Sequence, residues 1–481
     1  MRTKLPPIQI DPETPFARDR LDRKQFVEPL SSLLKSGDQP FVLSVEAPWG
    51  WGKTTFLRMW TAELAARDAP VVSFNAWETD FSDAPLVSML AELNVGIHAL
   101  QPDTKGKAVF EGLRNAGSAV LKRAIPLAIR VGTSGLVSLS DDISEDIQKA
   151  TTDLSERVAG DFVAAYSTAK DSLKDFKQKL AAVAEELKAR APNGFPLTIF
   201  IDELDRCRPD YAVGMLEVVK HLFDVPGVVF VLAIHREQLE HSVRALYGSE
   251  MDADEYLRRF IDLSFKLPAP DAQTFVPAVM SGLGLDKELE RRLDPQRRFK
   301  AGDPGQLQTA LVNLFDAFAM SLRTQEQVLG QLSLVLRMTP DDKELFPEFL
   351  ALLLTLSAVN RPMYEKYVAG EASGADLIDW IAAEPKRRKF VKTDTGIGVE
   401  GWLRMCDGRQ VEEDPVAKYR TLLEDENANV EDRQHASRLI PFCDWINNQV
   451  LHYGSYRGSS LVEALARKIA LLEQFSPETP E

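Results

Sequence analysis

The chain has 481 residues, a formal net charge of -15 and a pI near 5.1. An apolar share of 44% and a charged share of 27% supply material for more than one packed core, and the acidic balance excludes non-specific duplex binding by the whole surface, which needs clustered Lys and Arg. Cys207, Cys406 and Cys443 lie far apart with no C-x-x-C spacing, which excludes a disulfide framework or thiolate metal cluster read from spacing and sets a reducing, cytoplasmic compartment as the expectation.

In chain order, the opening residues MRTKLPPIQIDPETP carry no apolar run of signal-peptide length. FVLSVEA (41–47) is a β-rich run that ends in a Gly-rich turn, and helical spacing follows from Thr54 to about Ala66. APVVSFNAW (69–77) predicts a second strand. LTIFID (197–202) and GVVFVLAI (227–234) are continuous apolar runs, as strands buried on both faces of a parallel sheet require. DLSFKLP (262–268) supplies a fifth strand, ended by Pro268. Strands separated by helical segments predict βαβ crossovers and an α/β sheet whose ligand lies at the carboxyl ends of the strands.

Residues 100–195 interrupt this alternation. Their second half is rich in Ala, Glu and Lys and predicts one or two long helices before Pro192, Asn193 and Gly194. Within the interruption, AVLKRAIPLAIRVGTSGLVSL (119–139) is apolar on average. Lys122, Arg123, Arg130 and Pro126 break the run of about 20 apolar residues that a spanning helix needs, so any membrane contact is expected to be peripheral. From about residue 270 the pattern is helical throughout, with a polar stretch at 392–415 as a candidate joint between two lobes.

APWGWGKTT (47–55) follows a predicted strand and opens a predicted helix, the context of a phosphate-binding loop. Gly50 and Gly52 let successive N–H groups turn inward around an anion, and the helix that follows adds its N-terminal partial charge. Pro48, Trp49, Gly50, Trp51, Gly52, Lys53, Thr54 and Thr55 are the candidate nucleotide-binding residues. Lys53 is placed to reach the β- and γ-phosphates, and the Thr54 hydroxyl to bind Mg²⁺. Ala47 stands where the first glycine of G-x-x-x-x-G-K-[ST] falls.

LTIFIDELDRC (197–207) supplies the partner acids. Asp202 at the end of an apolar strand is the second metal candidate, and Glu203 the candidate general base for an attacking water. An Asp205–Arg206 ion pair is expected to order the turn, Cys207 to pack in the core, and Trp77 to lie in the core. No Asn-Lys-x-Asp guanine-reading sequence occurs, so ATP is the expected nucleotide.

WGWGKTT, FNAWE (74–78), ELDRC (203–207), YLRRFIDLSFKLP (256–268) and PFARDRLDRKQFVEPL (15–30) together resemble the KAP family of P-loop NTPases. The resemblance implies a five-stranded, mainly parallel sheet of order 5-1-4-3-2, with an extra strand between the loop strand and the Asp-bearing strand. The resemblance covers roughly residues 15–335, and with the pattern along the chain the expected division is a core split between 1–99 and 196–270, a helical insertion at 100–195, a helical sensor or lid domain at 271–390 and a C-terminal helical region at 391–481. The resemblance points to His235 as a phosphate sensor, in a position where many members carry Asp. Arg258 or Arg259 becomes the candidate arginine finger, in cis or on a neighbouring subunit, and Arg323 a sensor from the helical domain.

The resemblance further implies an ATP-hydrolysing switch or regulatory subunit in anti-phage defence, acting on a protein effector encoded nearby and able to form homo-oligomers. A nucleic-acid-translocating ATPase ring is the alternative. The run KRRK (386–389) is the local candidate for nucleic acid or acidic lipid, against a solvated helix end.

Overall fold

The structure is a computed structural model that describes residues 8–36, 39–100, 107–131, 156–222, 224–292, 304–340, 346–406, 414–425, 427–448 and 458–473. It divides into two units, Ile8–Ala269 and Pro270–Glu481.

The first unit is built on five strands: β1 (Phe41–Glu46), β2 (Val71–Asn75), β3 (Leu197–Asp202), β4 (Val228–Ile234) and β5 (Leu263–Lys266). All pair in parallel in the order β2-β3-β4-β1-β5, which is the expected order read from the other edge. β4 therefore lies between the strand that precedes APWGWGKTT and the strand that ends in Asp202.

Alternation along β4 explains the layers. Val229, Val231 and Ala233 face one core with α1 (Val27–Ser36) and α2 (Lys53–Ala66), where Leu34, Phe56 and Trp60 are buried. The Trp60 indole donates to Ser31 Oγ at 3.0 Å and ties these two helices together. Val228, Phe230, Leu232 and Ile234 face the other core. There they meet α3 (Pro85–Ala99), α4 (Lys107–Val131), α5 (Glu156–Arg190), α6 (Pro209–Leu222), α7 (Arg236–Tyr247) and α8 (Ala253–Leu257).

The described helices of the insertion are thus part of the folded unit. Phe110, Leu113 and Val120 of α4 join Phe176, Leu180, Val183 and Leu187 of α5 in the core that also holds Val72 and Ile199. The Ala-, Glu- and Lys-rich composition sustains one 35-residue helix in α5. Of the apolar stretch 119–139, residues 132–139 lie outside the described residues. Among the described residues no helix is long and apolar enough to cross a membrane.

The second unit is helical wherever it is described. At its centre the helix Pro347–Val359 buries Phe349, Leu350, Leu352, Leu353 and Leu354. The helices Pro385–Val391 and Asp394–Met405 pack against each other across residue 391. Glu400 is buried and accepts from Tyr419 Oη at 2.6 Å, Arg404 Nε at 2.8 Å and pairs with His435 Nε2 at 2.8 Å. This ties the helices Asp394–Met405, Ala417–Glu424 and Val430–Trp445 together, and its partners hold the Glu400 carboxyl at about 2, against the opposing effect of burial. Within this unit the KRRK run is engaged: Lys386 pairs with Asp316, Arg387 lies 4.5 Å over the Trp380 ring, and Arg388 donates to the Ala382 carbonyl.

Gly96 of α3 sits against β2, where a Cβ would come within 2.3 Å of Val72 Cγ1. A valine in a strand cannot swing aside cheaply, so overpacking outweighs the roughly 1 kcal/mol that alanine gains in a helix. Gly96→Ala is expected to destabilise the chain by about 1–3 kcal/mol, read as a lower denaturant midpoint.

Candidate functional site

The loop leaves β1 at the carboxyl end of the sheet, with Ala47 N donating to the Ile234 carbonyl at 3.2 Å. Gly50 and Gly52 have φ of 76° and 81°, the region a side chain disfavours, and this turns the loop back toward the start of α2. Lys53 opens that helix and is buried. Its Nζ arches over the loop and donates to the Ala47 carbonyl at 2.6 Å and the Pro48 carbonyl at 3.4 Å. Burial pushes the Lys53 ammonium below the usual lysine range, opposed by the charges of Asp205, Asp202 and Glu203.

Two side chains brace the loop. Trp49, partly exposed, donates its indole N–H to Asp205 Oδ2, and its ring meets the His235 ring in an edge arrangement with centroids 5.5 Å apart. Arg23 is only 4% exposed and donates through Nη2 to the Trp51 carbonyl at 3.3 Å; its Nη1 is buried without a hydrogen-bond partner. Burial draws its guanidinium down to about 10. Trp51 and Thr55 are half-buried, and Pro48 is exposed.

On the other side of β4 from β1, β3 ends in Asp202. Burial raises its carboxyl above the usual carboxylate range, opposed by hydrogen bonds from the Thr54 hydroxyl and from Glu203 N at 2.8 Å. Glu203 itself has a φ of 61°, a left-handed backbone uncommon for a residue with a side chain. Its Oε2 accepts from Asn75 Nδ2 at 3.0 Å, and its Oε1 pairs with Arg206 Nη1 at 2.9 Å. The structure therefore gathers Lys53, Thr54, Asp202, Glu203 and His235 at one end of the sheet.

His235 follows β4 and is mostly buried, with Nδ1 unpartnered and Nε2 3.8 Å from Glu237. Burial, then the nearby Lys53 charge, lowers its imidazolium below the ordinary histidine range, which favours the neutral ring. Arg259 is exposed beside the Tyr256 ring, and Arg258 pairs with Asp254 at 2.8 Å. Both precede the amino end of β5, where Asp262 bonds Val42, whereas the loop leaves the carboxyl end of β1. Arg323 is exposed in the first turn of the helix Leu322–Met338, in the second unit.

Two expectations are corrected. Asp205 does not pair with Arg206: it accepts from Trp49, while Arg206 pairs with Glu203. A 3-10 turn over Leu204–Arg206 accounts for this, because residues three apart eclipse in such a turn. Trp77 is not in the core; it is 53% exposed, with the Arg206 guanidinium 5.8 Å above its ring. In the KRRK run Lys386, Arg388 and Lys389 stay exposed, with Lys386 paired to Asp316 and Arg388 bonded to the Ala382 carbonyl, as at a solvated helix end. Cys207 packs in the core as expected, its thiol pushed up to about 12 by burial.

Asn75 and Arg208 went unread as site residues. Asn75 sits in FNAWE, and its partner becomes legible only when β2 lies beside β3 with Asn75 opposite Asp202. Arg208 clamps the loop after β2, donating to Asp80 from its backbone N at 2.8 Å and from Nε at 3.0 Å.

A parallel sheet of this order, a glycine-turned loop opening a helix with a buried lysine, and an Asp-Glu pair one strand away define a P-loop NTPase fold. The sequence pattern of the KAP family P-loop domain matches residues 23–339, and the chain belongs to that family. It is also similar to the phage T7 exclusion protein of Escherichia coli (strain K12), at 23% identity over 394 residues that make up 75% of this chain. The chain spans 45% of the length of that protein.

The raised Asp202 carboxyl yields a test. A carboxyl raised in the fold contributes stability that is fully present below the ordinary Asp value of about 3.9 and is lost as pH rises through the raised value. Asparagine keeps an acceptor for Thr54 and Glu203 N without the charge. Asp202→Asn, without nucleotide, should therefore melt higher than the parent near about pH 7.5, with the gain shrinking toward about pH 4. A lower melting temperature near neutrality contradicts the electrostatic account.

Proposed function

We propose that the chain binds Mg·ATP on the 47–55 loop and hydrolyses it. The observation that carries this reading is the buried Lys53 ammonium set among loop carbonyls and within the field of Asp202 and Glu203, which end the strand on the other side of β4. The loop N–H groups and the amino end of α2 hold the phosphates, and Lys53 exchanges its carbonyl partners for phosphate oxygens. The Thr54 hydroxyl and Asp202 carboxylate, already hydrogen-bonded to each other, fit a hard divalent cation that takes its other ligands from phosphates and water. When bound, Mg²⁺ supplies neutralisation of the charge that develops on the phosphates.

Glu203 accepts a proton from the water that attacks the γ-phosphorus. The bond from that phosphorus to the β-bridging oxygen breaks, leaving ADP and inorganic phosphate. His235, with its buried and unpartnered Nδ1, reads the presence of the γ-phosphate. Arg323 carries that information into the second unit, and Arg259, near the amino end of the sheet, serves a neighbouring copy rather than its own loop. Hydrolysis would then reset a switch whose load is a protein effector. The similarity to a phage exclusion protein supports placing this switch in defence against phage.

Lys53→Ala should lose nucleotide binding and turnover together, measured by binding titration and phosphate release. Glu203→Gln should keep ATP bound while turnover falls by about 10²–10⁴-fold. Parental turnover in Glu203→Gln would overturn the hydrolytic mechanism.

A further inference from the structure

We infer that Arg206, with the Trp77 ring as its platform, is a positioning residue that fixes the aim of the Glu203 carboxylate. The inference rests on the reading of Glu203 as general base and extends it. Glu203 is held in a closed ring of contacts. Asn75 Nδ2 donates to Glu203 Oε2 at 3.0 Å, and Arg206 Nη1 pairs with Glu203 Oε1 at 2.9 Å. The Arg206 guanidinium lies over Trp77, whose backbone N returns the ring to its start by donating to Asn75 Oδ1 at 3.0 Å.

Each carboxylate oxygen thus has one anchor, and the two anchors come from different segments. Two-point fixation sets the carboxylate plane, and with it the lone pair that faces an attacking water. Asn75 alone cannot do this, because it reaches only Oε2 of the carboxylate while its other amide hydrogen serves Glu78 Oε1. The neighbourhood is otherwise unfavourable to an anion: Asp202 and Asp205 stand beside Glu203 at the end of β3, and Lys53 is drawn toward all three acids. Arg206 is the cation that touches the Glu203 carboxylate directly. The loop that carries Trp77 is itself anchored to the turn after β3 through Arg208 and Asp80, so the platform cannot drift from the guanidinium it supports.

The test uses the full chain and compares steady-state ATP turnover with nucleotide affinity. Arg206→Gln should lower kcat by about 10–100-fold with nucleotide affinity within about 2-fold of the parent, since base alignment serves the chemical step and not ground-state binding. Arg206→Lys should recover part of that loss. The double variant Arg206→Gln/Glu203→Gln should turn over no more slowly than Glu203→Gln alone, because a residue that acts through the base has nothing left to position. Trp77 is half-exposed, so its variants keep the measurement available if Arg206→Gln fails to fold: Trp77→Ala should lose turnover and Trp77→Phe restore it.

Three outcomes overturn the proposal: parental turnover in Arg206→Gln, or in both Arg206→Lys and Trp77→Ala; losses that multiply in the double variant; or affinity that falls in step with kcat. Parental turnover in Glu203→Gln would remove the base assignment itself, whereas a dead Glu203→Gln beside an unaffected Arg206→Gln would remove Arg206 alone.

Discussion

One buried ammonium governs this site. Placing the Lys53 side chain out of water costs free energy that only polar partners can offset, and the fold supplies them from two directions. From below come the Ala47 and Pro48 carbonyls, reachable because two glycines turn the loop through positive φ. From the side comes the charge of Asp205, Asp202 and Glu203. The strand order makes this possible. With β4 between β1 and β3, the loop and the acids leave the same end of the sheet from strands on either side of β4, close enough for the Thr54 hydroxyl to bond Asp202.

The same crowding gives each acid a different character. Asp202, its carboxyl raised by burial, leans on Thr54. Glu203 is turned by its left-handed backbone toward Asn75 and Arg206. Asp205 braces Trp49 and so belongs to the wall of the loop. Three neighbouring carboxylates in four residues thus have separate tasks because strand, cap and 3-10 turn send them in different directions.

Much of this was legible in the residues. The five strands read as apolar runs because four of them are walled by helices or neighbours, and the loop read as a phosphate cradle because its glycines precede Lys-Thr at a helix start. What escaped the reading depended on geometry that a one-dimensional pattern does not hold. Adjacent Asp205 and Arg206 invited an ion pair, yet the tight turn eclipses Arg206 with Glu203 instead. Trp77 invited a core position by its apolar bulk, but it follows the last residue of an edge strand, where half its surface meets water. Asn75 had no signal of its own, since its meaning comes from the register that sets it opposite Asp202.

Arg23 lies eighteen residues ahead of the first strand, yet its guanidinium sits beneath the phosphate loop and holds the Trp51 carbonyl. The usual picture of a nucleotide-binding domain as a sheet with its wrapping helices draws the border at β1. Here a shortened chain that opened at Phe41 would keep every strand and every loop glycine, and would still lose one of the two buried cations that give the loop its positive field. The smallest self-sufficient piece of this domain therefore begins before Arg23, in a segment with no strand but with a short 3-10 turn and the helix Val27–Ser36 that packs in the core.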